Sequence, residues 1–149
     1  MHWRMLAVIS AGGVLGALAR YGLTSAFPSP ASGFDWAVFG INASGCFCIG
    51  LVIVVLTESR QAHYLIRPFL ATGVLGGFTT FSTYIVGVQR ALIAGAPRTA
   101  LLYGAVTPVV ALAAAWGGIR LAAGITGIAR QAAPDEPAPD GPAPDEVSA

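Results

Sequence analysis

The hydrophobic pattern divides the chain into four long apolar runs, residues 5–23, 36–56, 68–88 and 99–122, separated by short polar connections. Each run supplies roughly the 20 apolar residues a helix needs to cross the hydrocarbon layer. The connections carry breakers and charges: Pro28, Ser29, Pro30 and Gly33 in the first, Arg60, His63 and Arg67 in the second, Arg90, Gly95, Pro97 and Arg98 in the third. The pattern predicts an all-α membrane protein with four transmembrane helices. The membrane domain is assigned to residues 1–123, which leaves no room for a separate soluble domain. Residues 124–149 end in PDEPAPDGPAPDEVSA, a Pro/Ala/Asp-rich tract that cannot bury apolar area and is expected to be disordered.

The third run breaks the pattern. It contains GGFTTFSTY at residues 76–84, two glycines followed by a cluster of hydroxyl side chains. Each glycine weakens a helix by about 1 kcal/mol relative to alanine. Gly76 and Gly77 are therefore the expected breaking point of the third helix. A broken backbone inside a membrane is tolerated only where protein or a cavity satisfies it. Carbonyls released near Gly76 and Thr79 can hold a cation, as unwound helices do at other membrane sites. Phe81 and Tyr84, three apart, share one helix face. The positive edges of their rings can touch an anion.

Composition agrees with the membrane assignment. The chain is 55% hydrophobic and 10% charged, against about 25% charged in a soluble domain. Its net charge of +1 leaves no nucleic-acid footprint. A basic start and Ala17-Leu18-Ala19 imitate a signal peptide, but three further spans need the first helix inserted. Arg4, Arg60, Arg67, Arg120 and Arg130 fall on the side of the termini, and Arg20, Arg90 and Arg98 on the other. Arginine holds loops in the cytoplasm, so the termini are expected inside. Cys46 and Cys48 point to different faces of the second helix, which argues against a disulfide and a metal site. Gly12-x-x-x-Gly16 and Gly73-x-x-x-Gly77 are small-residue pairs that let helix backbones approach closely, so the first and third helices are expected to be packed faces rather than lipid-facing ones.

Candidate chemistry is defined partly by absence. Asp35 and Glu58 sit at span ends, and no Asp, Glu, Lys or His lies in the middle of a run. Intramembrane ionisable groups usually mark proton relays. Their absence argues for passive movement of a solute or for no transport. The polar groups within the runs are Arg20, Asn42, Ser44, the TTFST cluster, Tyr103 and Thr107. Most can donate hydrogen bonds without fixed negative charge, which suits an anion. Asn42 can equally bridge two helices, and Tyr103 and Thr107, four apart on one face, can simply pack. Arg20 either snorkels to the interface or sets a positive potential in an anion vestibule. Pro108 is expected to kink the fourth helix.

GGFTTFSTY, with Gly12-Gly13-x-x-Gly16-Ala17-x-x-Arg20-Tyr21 and Asn42-x-x-Gly45-x-Phe47, resembles the small fluoride channel family (Fluc, also called CrcB). The resemblance runs through nearly all of residues 5–122. It implies a fluoride-selective channel for passive fluoride efflux from the cytoplasm across the cell membrane, not an enzyme. Two subunits in the lipid bilayer would pack antiparallel, with pores at their interface. A structural sodium ion would sit on backbone carbonyls matching Gly76 and Thr79. The family's pore phenylalanines match Phe81 and Tyr84, its pore asparagine Asn42, and its vestibule arginine Arg20. The polar track maps to Ser82, Thr83, Tyr103 and Thr107.

Two positions depart from the family pattern. Tyrosine stands at 84, adding a hydroxyl near the expected ion path, and the usual Ser-x-Glu reads Ile85-Val86-Gly87. These changes, with the arginine bias, would suit a heterodimer with a non-identical sister subunit; the alternative is an antiparallel homodimer. The competing readings are a small dual-topology drug/proton antiporter, which the missing carboxylate disfavours, and a non-transporting membrane scaffold.

Overall fold

A computed structural model of the chain describes residues 2–58 and 64–132. Among them are helices and connecting turns, and no strand. In chain order the elements are α1 (His2–Ala26), α2 (Trp36–Glu58), π1 (Pro68–Leu75), α3 (Gly76–Phe78), α4 (Ser82–Ile93) and α5 (Pro97–Ala132). Together π1, α3 and α4 make up the third span, so four segments are long and apolar enough to cross a membrane. The 36 residues of α5 reach roughly 54 Å, well beyond the ~30 Å of hydrocarbon. Its helix runs to Ala132, past the boundary expected at 123. The rest of the tail lies outside the described residues.

Local chemistry sets the ends. Asp35 caps α2, its Oδ1 accepting from the Val38 amide at 3.1 Å and from the Ser29 hydroxyl at 3.3 Å. α4 closes with Ala96 N–H donating to Ala91 O and Gly95 N–H to Leu92 O. That closure needs a left-handed residue, which Gly95 supplies at φ 73°. Pro97 then opens α5, where a missing amide costs nothing.

The helices pack as two seams. α1 lies against π1 and α3, and α2 against α5. In lipid no hydrophobic force separates helix from tail, so contact rests on close packing. A Cβ on Gly12 would stand 2.6 Å from Phe69 O, and one on Gly73 would stand 2.8 Å from Ile9 O. Side chains at Gly16 and Gly77 would run into the backbone of Val74 and of Gly13. The two small-residue pairs thus lie on packed faces, as expected, and face each other. Gly50 and Gly118 do the same work between α2 and α5, against Ala115 O and Phe47 O. α4 leans on α5 around a small buried cluster of Val38, Tyr84 and Tyr103.

Candidate functional site

The break in the third span lies at residues 79–81, after the two glycines rather than at them. Gly76 keeps helical angles, φ −66° and ψ −33°. Thr79 turns out into extended backbone, φ −74° and ψ 152°. Gly77 serves the α1 seam instead. What opens the helix is a competing partner. Asn42 grips the Thr80 peptide from both sides: its Nδ2 donates to Thr80 O at 2.9 Å, and its Oδ1 accepts the Thr80 amide at 2.8 Å. In a continued helix that amide would close onto Gly76 O. Asn42, 8% exposed, is therefore both of the things its sequence position allowed: a bridge between spans, and an amide with one N–H still free.

The two ends of the break are dressed differently. On the upstream side Arg20 Nε donates to Gly77 O at 3.2 Å. Arg20 caps a released carbonyl with a positive charge, as basic side chains do at helix C-termini. On the downstream side Thr80 Oγ1 accepts the Thr83 amide at 3.2 Å and donates to Thr83 Oγ1 at 3.0 Å. Thr80 thereby caps α4, with Ser82 Oγ 3.4 Å from the same hydroxyl. The first turn of α4 directs its positive dipole end back at the break.

A groove of about 570 Å³ runs beside the break. Its walls include Asn42, Gly76, Thr79, Phe81, Tyr84 and Thr107. The fold thus unites the two expected carbonyl residues with most of the expected pore residues. Phe81 is 74% exposed there, its ring centroid 5.6 Å from that of Tyr84. Thr107 is 3% exposed, and its Oγ1 has no hydrogen-bond partner. The Tyr103 hydroxyl is likewise buried and unpartnered, against Phe34 and Tyr84. Tyr103, Ser82 and Thr83 stand outside the groove wall, and Arg20 is on the α1 side.

The Tyr84 hydroxyl donates to Gly104 O on α5. The residue is 7% exposed and offers only part of its ring to the groove. Asn42 and Phe81 both line the groove, and sequence reading missed Thr80 as the hinge between them. The signal was present in a second threonine followed three residues on by Thr83, the spacing of a cap.

Residues 7–119 match the family model described as CrcB-like protein, Camphor Resistance (CrcB). The chain belongs to this family. Among CrcB relatives, the fluoride-specific ion channel FluC 1 of Streptomyces coelicolor is 52% identical over 118 residues, covering 76% of this chain and 77% of its own. The fluoride-specific ion channel FluC 2 of Nocardia farcinica is 46% identical over 127 residues, covering 85% and 91%. The fluoride-specific ion channel FluC of Thermus thermophilus is 39% identical over 121 residues, covering 80% and 96%. These relatives are bacterial, and with four membrane spans this CrcB protein is a multi-pass protein of the plasma membrane.

Proposed function

We propose that this chain forms a fluoride-selective channel through which fluoride leaves the cytoplasm passively, limiting fluoride toxicity. The observation that carries the reading is the groove at the break, where neutral donors and an aromatic edge converge without any carboxylate. Fluoride is small and holds its water tightly, so a pore must replace that shell with donors. The free N–H of Asn42, the orphaned Thr107 hydroxyl and the ring edge of Phe81 can do so. Ser82, Thr83 and Tyr103, outside the groove wall, are the remaining polar groups of this reading. The names borne by the relatives agree with this chemistry.

The pore is completed by a second subunit packed antiparallel. Phe81, exposed beside an open groove, has the character of an interface residue. A structural sodium ion on the carbonyls of Gly76 and Thr79 fits the same arrangement. Gly76 O is released by the diversion of the Thr80 amide, and Thr79 is extended. Among the described residues no group of His, Cys, Asp or Glu offers an alternative metal site. A hard cation takes oxygen ligands, and two from one chain leave its shell incomplete. A second copy or a sister subunit would add its own pair.

Fluoride efflux from proteoliposomes, followed with a fluoride electrode beside a chloride control, tests the reading. Fast fluoride-only efflux from this chain alone supports a homodimer. No efflux alone, with efflux on adding a sister chain, supports a heterodimer. No efflux in either case from folded protein sinks the channel.

A further inference from the structure

Pro108 lies inside α5 and has no amide hydrogen. In an α-helix that hydrogen would bond to the carbonyl four residues earlier, which is Gly104 O. The Tyr84 hydroxyl donates to this same oxygen. A carbonyl stranded in a membrane interior is costly, so something must replace the missing donor. Three residues further along α4, Gly87 faces Tyr103: a Cβ there would stand 2.9 Å from Tyr103 Cε1. The absent side chain makes a seat for the Tyr103 ring, which packs edge-on against Tyr84 at 5.3 Å between centroids.

We infer that Tyr84 is a positioning residue, its hydroxyl standing in for the amide that Pro108 lacks and so fastening the broken third span to α5. Gly87 belongs to the same device, because it lets Tyr103 wedge the Tyr84 ring in place. The Phe81 ring leans on Tyr84 from the groove side. Tyr84 therefore sets where the exposed aromatic edge of Phe81 stands. The two departures from the family pattern, at 84 and 87, are one matched adaptation to Pro108 and Tyr103. The role of Phe81 in fluoride passage rests on the channel reading; the fastening itself does not.

A double-mutant cycle in lipid nanodiscs and proteoliposomes tests this. Tyr84→Phe should lower the unfolding temperature and reduce fluoride efflux roughly tenfold, the scale of one buried hydrogen bond lost. In a Pro108→Ala background the helix regains its own donor, and Tyr84→Phe should then change neither quantity appreciably. Gly87→Ala should mimic Tyr84→Phe by pushing Tyr103 off its seat. Equal losses in both backgrounds, or none in the native one, would overturn the inference. The unfolding pattern with efflux absent in every variant would keep the fastening and remove the channel instead.

Discussion

The α1 seam and the break beside it are built from the same short stretch of chain, yet they treat their polar groups in opposite ways. Along the seam, glycines stand directly against the backbone of the facing helix. At the break, peptide groups leave the helix and are taken up by side chains from elsewhere, Thr80 by Asn42 and Gly77 O by Arg20, while Tyr84 just downstream takes up Gly104 O on α5. Two hydroxyls nearby, on Tyr103 and Thr107, remain without any partner. On the channel reading, the difference separates scaffold from pathway. Where a membrane protein only needs to hold together, its polar atoms are hidden in helices. Where an ion must pass, donors are held open at a cost, and the surrounding structure supplies the rigidity to keep them so.

Breaking the seam should have the largest effect. Gly16→Leu drives a branched side chain into the backbone of Val74, which cannot yield as a side chain can. Loss of folded protein in gel filtration and circular dichroism is the expected outcome, with no efflux to measure. A well-folded Gly16→Leu protein would mean that the seam is looser than its geometry. Phe81→Ile should do the reverse: a normal elution profile and melting curve with fluoride efflux nearly abolished, because volume is roughly kept while the ring edge is lost. Unchanged efflux would remove the aromatic from the pathway.

Asn42→Ala stands between the two regions. It frees both halves of the Thr80 peptide, so stability should fall by about 1–3 kcal/mol and efflux should fall with it. Chemical denaturation and the fluoride electrode read the two effects separately; a drop in efflux alone would leave Asn42 as an ion ligand and nothing more. Arg20→Gln sharpens the role of the charge. Glutamine keeps a donor for Gly77 O but is neutral, so holding the carbonyl predicts a loss of no more than about threefold in efflux. A much larger loss, with a weakened response to salt, would show that the charge itself attracts the ion. Thr79→Ser should be the mildest, since its side chain only bonds back to Leu75 O, which serine also reaches.

Much of this arrangement is legible in the sequence, and the boundary of what is legible has a physical cause. The four spans follow from apolar length, and the α1 seam from glycines spaced four apart. Both are properties of neighbours along the chain. The break was expected at Gly76 and Gly77 because glycine weakens helices, but it falls where Asn42 pulls the Thr80 amide away. That competition is between residues 38 positions apart, and no local propensity registers it. Arg20 is similar: its place near a span end was readable, whereas its carbonyl partner 57 residues on was not. Pro108 was readable only as a kink in the fourth helix, and it took the fold to show Tyr84 donating to the carbonyl of Gly104.

The bond between Tyr84 and Gly104 O also carries a history. A carbonyl oxygen has two lone pairs, so it can accept a tyrosine hydroxyl while still bonded to the amide of its own helix. Tyrosine at 84 could therefore arise harmlessly before proline stood at 108. The opposite order strands the carbonyl in the bilayer until a donor appears. Tyrosine first is thus the order that never leaves the carbonyl unpaired. A relative with proline at the equivalent of 108 and phenylalanine at the equivalent of 84 must have recruited some other donor, and locating it would show how many routes lead to the same channel wall.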